Sequence, residues 1–363
     1  MKTLLSILVI ATTANAISQI TITEADFATA NDTVTISSSD ETNLDLVTTG
    51  ANSTWDFSTI NIETQRVDTF YDVSDADALY QFVFNNGFTN PDYESEYFLP
   101  WGNVDFSQAD QIGLEIKDPL SFTKISSSMI EIVGYGVTAN GYAIPAASDT
   151  IDIKYHLPMN FSDSWYSRSY TNLDLNPAFD GIYRRYQQRT SEVDGWGEIT
   201  TPFKTYSVIR VKSYVESQDS VYVNFGGFGG QWFEMPVPPT YEYEWYANGE
   251  DAPVFKVITQ DIGGTEEITT VEFKDKKRDF ASVQKHEMQF GVYPNPAKND
   301  LIITSEKEEG YLNILSLNGE LISSQQVTSN QTTIDISGLS NGLYFVQLQI
   351  GNKTSVQKFS VVK

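Results

Sequence analysis

The chain has 363 residues, of which 48 are acidic and 23 basic, giving a formal net charge of −25, and it has no cysteine. So acidic a surface repels phosphate backbones, which argues against nucleic acid as a partner. The lack of cysteine excludes disulfide bonds, thiol nucleophiles and cysteine-bound zinc. We interpret the charge as a means of keeping an exported protein soluble, with calcium binding as the minority alternative.

The N-terminus has the three parts of a secretory signal peptide. Met1-Lys2 is positively charged, Leu4 to Ala11 is mostly apolar, and Ala14-Asn15-Ala16 is a small-residue cleavage site. We predict a signal peptide over residues 1–16, cleaved after Ala16. The apolar run is far shorter than the roughly 18–20 residues that span a bilayer. No later segment is long and apolar enough either, so the sequence predicts no transmembrane helix.

Residues 17–275, which we call the body, alternate short runs of β-branched and aromatic residues with Asn, Asp, Gly and Ser. Runs of this kind are typical of strands. Helical periodicity is weak, and its best example lies between Asp75 and Phe84. The sequence therefore predicts an all-β protein whose body is an antiparallel β-sandwich of one or two units. For two units, the small residues at 139–148 mark the expected seam.

One segment of the body shows strand alternation most clearly. Between Ser207 and Val215, Ile209 and Val211 face one way, whereas Arg210 and Lys212 face the other. This pattern predicts an antiparallel strand with one face in the core and the other in water.

Aromatic residues are expected to fill much of the core. Aromatic and glutamate residues alternate in Tyr241–Trp245, so the aromatics share one face. Four tryptophans are interpreted as core fillers, each with an indole N–H that needs an acceptor: Trp55, Trp165, Trp196 and Trp245. The alternative is that they are platforms for sugars, which is less favoured because aromatic side chains mainly serve cores.

A glycine-rich stretch provides the candidate recognition surface. Gly226–Gly230 lacks the Lys-Ser/Thr pair of a phosphate-binding loop, so no nucleotide site is expected. Together with Pro236–Pro239 it predicts an irregular loop that carries Phe228, Trp232 and Phe233. Aromatic side chains on such a loop are hard to bury, which favours recognition of a glycan or a surface protein. The alternative, a loop that folds over the sandwich and caps its core, is the more favoured of the two interpretations.

The sequence shows no catalytic constellation. The two histidines, His156 and His286, lie in no triad or metal motif, and two are too few for a three-histidine zinc site. We therefore predict no catalytic residue, no metal site and no cofactor. The alternative is an exported polysaccharide hydrolase that uses two carboxylates. It requires a cleft with two convergent acids, at least one of them with a raised pKa.

The C-terminal segment carries separated motifs in a recognisable order. It opens with Pro294-Asn295-Pro296, whose prolines prevent strand pairing and so set the start of the first strand. The motif residues are Pro294, Asn295, Pro296, Gly319, Gly342, Tyr344 and Lys358. Over residues 291–363 this pattern resembles the type A C-terminal sorting domain of the type IX secretion system.

That resemblance implies a small immunoglobulin-like β-sandwich of about seven strands. It also implies transport across the outer membrane of a Gram-negative bacterium, with the type IX secretion machinery as partner. The expected location is the extracellular space or the outer cell surface, after export to the periplasm. The basic stretch at 276–290 is interpreted as a solvated linker between the body and this domain.

Four phrases of the body resemble a group of exported, uncharacterised proteins that carry the same terminal domain. They are GANSTWDF (50–57), LPMNFSDSW (157–165), VDGWGEITTP (193–202) with VIRVK (208–212), and EWYANGEDAPV (244–254). The resemblance brings no catalytic residue or ligand with it. Our first hypothesis is therefore an exported β-sandwich protein whose body is a binding or structural module.

Overall fold

The strands lie where β-branched and aromatic residues are dense. The computed structural model describes residues 18–102, 106, 109, 113–224, 229–262, 265–278, 290–305, 310–316, 321–327, 329–350 and 353–363. The predicted signal peptide (1–16), with Ala16, lies outside the described residues, as does most of the linker at 276–290. The chain divides into two units: the first ends at Lys277 and contains the body, and the second, the C-terminal unit, begins at Arg278.

The described part of the body contains fourteen strands. They are β1 (Thr33–Ser39), β2 (Gly50–Asp56), β3 (Thr64–Thr69), β4 (Tyr97–Pro100), β5 (Ile116–Ile125), β6 (Met129–Ala139), β7 (Tyr142–His156), β8 (Ser164–Asp174), β9 (Gly181–Thr200), β10 (Thr205–Asn224), β11 (Gly230–Pro236), β12 (Thr240–Tyr246), β13 (Phe255–Ile262) and β14 (Thr265–Lys274). One α-helix, α1 (Ala78–Phe84), and two 3-10 helices (Glu24–Asp26 and Val73–Asp75) accompany them. This content confirms the all-β prediction, and α1 lies in the segment with the best helical pattern.

The strands of the body form one hydrogen-bonded path. It runs β3-β1-β14-β13-β12-β10-β9-β8-β7-β6-β5-β4, with β11 beside β10 and β2 parallel to β9. Its two ends are joined as well, because Tyr71 and Phe98 exchange backbone hydrogen bonds of 3.1 and 2.9 Å. The sheet therefore closes on itself. Residues 139–148, the expected seam, form the turn and paired strands of the β6–β7 hairpin, and the body is not divided there.

The inward side chains of β6 and β7 share a core with those of β9 and β10. Ile130 of β6 and Tyr155 of β7 pack with Val193 of β9 and with Ile209 and Val211 of β10. Ile209 and Val211 thus face the core, as their alternation predicts. Burying a side chain of this size stabilises the fold by about 1.5–3 kcal/mol. The shared core confirms the sandwich prediction.

The face of β10 and β12 that points away from the sandwich interior is covered by another segment of the chain, which the alternation did not predict. The segment 40–62, including β2, contributes apolar side chains to a second core. Trp55 from this segment packs edge-on against Trp245 of β12, with ring centroids 5.8 Å apart. Arg210, expected on a wet face, is only 1% exposed. The prediction of one face in water is therefore wrong for this part of β10.

Three of the four tryptophans are buried as predicted, namely Trp55, Trp165 and Trp245, whereas Trp196 is partly buried. The indole N–H groups of Trp55 and Trp165 donate to the carbonyl oxygens of Thr48 and Lys154 at 3.1 and 3.0 Å. The indole N–H of Trp245 has no acceptor among the described residues. The core interpretation is confirmed for these three residues.

The C-terminal unit is a separate sandwich. Its strands are β15 (Phe290–Tyr293), β16 (Asp300–Ser305), β17 (Gly310–Leu315), β18 (Leu321–Val327), β19 (Gln331–Asp335), β20 (Gly342–Ile350) and β21 (Lys353–Val361). They form a three-stranded sheet, β15-β16-β19, and a four-stranded sheet, β18-β17-β20-β21. Leu301 and Ile303 of the first sheet share a core with Leu312, Val346 and Phe359 of the second.

Candidate functional sites

Charged side chains lie inside the body, where a sandwich normally buries apolar ones. Arg189 on β9 is buried and donates to Glu242 on β12 over 2.6 Å, and its Nε lies 3.7 Å from Asp152 on β7. Asp152 also accepts hydrogen bonds from Gln187 at 2.9 Å and Ser167 at 3.1 Å. These groups occupy inward positions of neighbouring strands, so they belong to the interior of the fold.

A second group of polar side chains continues from these residues to β13, and we call the two groups together the inner polar cluster. Glu244 is only 1% exposed and accepts a hydrogen bond from the hydroxyl of Tyr155, which accepts one from Tyr246 at 2.8 Å. Lys154 and Lys256 lie 3.5 and 3.8 Å from Glu244. Burial and the nearby carboxylate raise the pKa of Tyr155 well above its usual value, so this tyrosine stays protonated and remains a donor.

Two cavities of about 460 and 640 Å³ adjoin the inner polar cluster, and Lys154 lines both. Burial alone would raise the pKa of Glu242, but Arg189, Lys154 and Lys256 outweigh it and lower that pKa to about 2. Glu242 is therefore ionised at neutral pH. Every described carboxyl group whose pKa departs clearly from its usual value is likewise shifted down. None of these shifts is the rise in pKa that the hydrolase hypothesis requires of one of its two acids.

A larger cavity of about 1130 Å³ lies on the opposite face of the sheet, beneath residues 42–49. Arg210 forms part of its wall and donates to both carboxylate oxygens of Asp194, at 2.8 and 2.7 Å, and to the carbonyl of Leu46 at 2.9 Å. The guanidinium also lies 5.6 Å from the centroids of three rings, those of Trp55, Tyr243 and Trp245. Arg210 thus holds the covering segment to the sheet through protein contacts, and we assign it a structural role.

An aromatic group lies on the outer surface of β8–β11. Trp232 on β11 is 37% exposed, and the guanidinium carbon of Arg184 on β9 lies 4.1 Å from its ring centroid. Tyr222 on β10 contacts the same ring at 5.4 Å, and Arg184 Nε donates to Asn172 on β8 at 3.2 Å. Neighbouring side chains therefore hold the Trp232 ring in place while part of it stays open to solvent.

The same surface continues along β8 and β9. Tyr166 is exposed and donates its hydroxyl hydrogen to Gln188 at 2.8 Å, and Arg168 Nε donates to the Tyr166 hydroxyl at 2.7 Å. The cross-strand register points these side chains the same way. We call this surface the outer aromatic face, and it consists of Tyr166, Arg168, Tyr170, Asn172, Arg184, Tyr186, Gln188, Tyr222 and Trp232.

The stretch predicted as an irregular recognition loop contains an exposed strand. β11 pairs with β10, and all seven of its residues are exposed. Successive side chains of a strand point to opposite faces, so Trp232 and Phe233 do not share a surface. Phe228 lies outside the described residues. Of the two predicted residues that the structure describes, Trp232 belongs to the outer aromatic face and Phe233 does not.

Sequence reasoning missed most of the outer aromatic face. Its members on β8 and β9 are distant from β11 in the chain, and only the strand register brings them together. A usable signal is the period-two run of Tyr166, Arg168, Tyr170 and Asn172, with Ser or Thr between them. That run places large polar and aromatic side chains on one side of a strand.

In the C-terminal unit, the Pro294-Asn295-Pro296 motif fastens the first residues to the last strand. Asn295 Oδ1 accepts hydrogen bonds from the backbone N–H and the hydroxyl of Ser360, both at 3.0 Å, and its Nδ2 donates to the carbonyl of Lys358 at 3.3 Å. Directly after the motif, Ala297 donates its N–H to the carbonyl of Ser360 at 2.8 Å. The motif therefore joins the two ends of the unit.

The other motif residues that the structure describes lie in β20 and β21. Gly342 begins β20, and Tyr344 stacks on Phe359 of β21 with ring centroids 5.8 Å apart. Lys358 is exposed on the outer face of the four-stranded sheet. Gly319 lies outside the described residues. Tyr344 thus serves the core, whereas Lys358 is available to a partner.

Comparison with known proteins bears on the C-terminal unit. Residues 291–363 match the family described as "Secretion system C-terminal sorting domain". This match confirms the resemblance to the type IX sorting domain. It supports export of the chain through the outer membrane by the type IX secretion system, to the cell surface or the medium.

No curated protein matches the chain. A solved structure that resembles it is that of PorZ from Porphyromonas gingivalis, described as an essential bacterial surface component of the type IX secretion system, at 6% identity and a TM-score of 0.20. The similarity covers 68% of this chain and 58% of that one. At such a TM-score it carries no argument about function.

The residues that the structure describes contain no group of three or more acidic or histidine side chains placed to hold a metal ion. None of the helices among them has the length and apolar character needed to cross a membrane. His156 is exposed at the end of β7, and His286 lies outside the described residues.

Proposed function

We propose that this protein is a carbohydrate-binding protein of the cell surface or the medium, exported through its C-terminal unit. The observation that carries the binding role is the outer aromatic face, where exposed rings lie beside arginine and amide side chains. The match of residues 291–363 supports the export route. The strand order of the C-terminal unit, with three strands facing four, supports an immunoglobulin-like classification.

The chemistry of the outer aromatic face favours a glycan. Aromatic rings offer flat apolar surfaces to the C–H faces of sugars, and guanidinium and amide groups hydrogen-bond hydroxyls. A protein interface usually has an apolar centre inside a polar rim. Across β8, β9 and β10 the register places one aliphatic side chain on this face, Ile182 opposite Tyr222, and aromatic and polar groups make up the rest, so the face offers no broad apolar centre. A polysaccharide lying along the strands satisfies both kinds of group at once.

The cavities of the body are weaker candidates because protein groups already satisfy their charges. Arg189 is paired with Glu242, and Arg210 with Asp194. A ligand that displaced either contact would leave a buried charge unpaired, which costs several kcal/mol. The outer aromatic face needs no such rearrangement.

The binding role is tested with full-length mature protein on glycan arrays and insoluble polysaccharides. Trp232→Ala removes the exposed ring, and the loss of an aromatic anchor of this kind should weaken binding by about tenfold or more. The matched control is Phe233→Ala, which alters the next residue of β11 on the opposite face of the sheet. Equal effects of the two variants, or capture of a protein and no glycan, would contradict the proposal.

The export role is tested by deleting residues 278–363 in the native host and locating the product by cell fractionation. The truncated chain should accumulate in the periplasm, whereas the full chain reaches the outer surface or the medium. Sequencing the exported protein from its N-terminus should give Ile17 first, if cleavage follows Ala16 as we propose. Normal amounts of the truncated chain outside the cell would refute the export role.

A further inference from the structure

The two outer faces of the C-terminal unit differ in chemistry. The outward residues of β15, β16 and β19 are mainly polar or acidic, namely Tyr293, Ile302, Thr304, Thr333 and Asp335. Those of the four-stranded sheet include a larger apolar set, namely Leu315, Leu321, Leu343, Phe345 and Val356. Both sets turn away from the core that the two sheets share.

The apolar residues of the four-stranded sheet form a continuous row across it. Leu321 of β18 pairs with Leu315 of β17, Leu315 pairs with Phe345 of β20, and Phe345 pairs with Lys358 of β21. Directly opposed residues on one face of a sheet have touching side chains. The row therefore runs from edge strand β18 to edge strand β21, where it ends at the positively charged side chain of Lys358.

Much of this row is open to solvent. Leu321 is 57% exposed, and next to the row Leu343 and Val356 are 46% and 51% exposed. Glutamine, serine and asparagine side chains border the apolar residues on the same face, as in Ser324, Gln326, Asn313 and Gln347. An apolar centre with a polar border is the usual composition of a protein interface.

We propose that this surface, the Leu321–Lys358 row with Leu343 and Val356 beside it, is where the C-terminal unit docks on the secretion machinery. The partner surface should be apolar, with a carboxylate opposite Lys358, because Lys358 is the single charged side chain among the described residues of this face. The inference rests on the proposed export role, which requires that the machinery recognise this unit. The other outer face carries Asp335 and threonines and offers no comparable apolar area.

The test replaces three exposed aliphatic residues of this surface together, as Leu321→Ser, Leu343→Ser and Val356→Ser in the full chain. The exported fraction should fall by about tenfold or more, since the three substitutions together replace much of the exposed apolar area of this surface with polar groups. The matched control is Tyr293→Ser on the opposite face, which is similarly exposed and should leave export unchanged. Lys358→Glu should reduce export, and Lys358→Arg should preserve it.

The outcomes separate this inference from the export role. If the triple variant is exported normally while deletion of residues 278–363 blocks export, the docking surface is wrong and the export role stands. If both are exported normally, the export role is wrong as well. A wild-type dimer that the triple variant abolishes without loss of export would instead assign the face to self-association and overturn the docking proposal. Should the triple variant not fold, Val356→Ser and Lys358→Glu decide alone.

Discussion

The interiors of the two units differ in kind. The body buries several charged side chains, namely Asp26, Asp152, Arg189, Arg210, Asp219, Glu244 and Asp275. Among the described residues of the C-terminal unit, the buried side chains are apolar apart from Thr332. A buried charge is tolerated only beside a partner. The body therefore depends on specific pairing, whereas the C-terminal unit depends on apolar burial alone.

Because their cores differ in composition, the body and the C-terminal unit should differ in how their stability responds to pH and to charge changes. The apolar core of the C-terminal unit should respond weakly to pH and to single charge changes, and the body should respond strongly. The two can be followed separately, because all six tryptophans lie in the body. Tryptophan fluorescence reports on the body, and amide hydrogen exchange in β20 reports on the C-terminal unit.

The largest effect is expected from Arg210→Ala. Removing the guanidinium leaves Asp194 without its bidentate partner and frees the carbonyl of Leu46, so the body should lose about 3–5 kcal/mol of unfolding free energy. Denaturant unfolding followed by tryptophan fluorescence measures this loss. Arg66→Ala is the control, since Arg66 is half-exposed and its ion pairs should contribute less than about 1 kcal/mol. Similar losses in the two variants would show that the interior pairing is not what stabilises the body.

In the C-terminal unit, Leu348→Ala should have a comparable or smaller effect through a different mechanism. Leu348 is fully buried in the apolar core, so truncation should cost about 2–5 kcal/mol through lost burial and a cavity. Hydrogen exchange in β20 should accelerate accordingly, while the tryptophan-detected transition of the body stays in place. A parallel shift of both transitions would show that the units do not unfold independently.

Acid should destabilise the body more than the C-terminal unit. The folded pKa of Glu242, about 2, lies below its ordinary value of 4.5, so its pairing stabilises the folded state at neutral pH. That contribution is complete above pH 4.5 and is lost as pH falls from 4.5 towards 2. Fluorescence-detected unfolding between pH 7 and pH 3, compared with exchange in β20, checks the contrast. Glu242→Gln should flatten this pH dependence of the body.

The sequence predicts the fold class because strand alternation is a local property. Alternation shows that the two faces of β10 and β12 differ, but it does not show which face is wet. Arg210 and Glu244 lie on opposite faces of the sheet, and both are buried: one lies beneath the 40–62 segment and the other in the sandwich interior. That covering segment has little regular structure, so no periodic pattern in its sequence predicts that it covers the sheet.

The candidate site was predictable only in part, for a related reason. Trp232 is found by its place near glycines and prolines, where burial is difficult. Tyr222 is its neighbour on the preceding strand, but Arg184 comes from β9, and only the long-range register of β9 with β10 brings it beside the Trp232 ring. In the C-terminal unit the Pro294-Asn295-Pro296 motif identifies the domain. Its hydrogen bonds to the last strand require the folded structure.

The smallest effect is expected from Asn295→Ala. The substitution removes two hydrogen bonds accepted from Ser360 and one donated to Lys358, in a solvent-exposed position, so the C-terminal unit should lose about 1–2 kcal/mol. Asn313→Ala is the control, because Asn313 makes one bond, to Gln347 at 3.0 Å, and should cost about 0.5 kcal/mol. Exchange in β21 should accelerate more than exchange in β18, since the motif holds β21 at the end of its sheet. Uniform acceleration would mean that the motif supports the whole unit instead of its last strand.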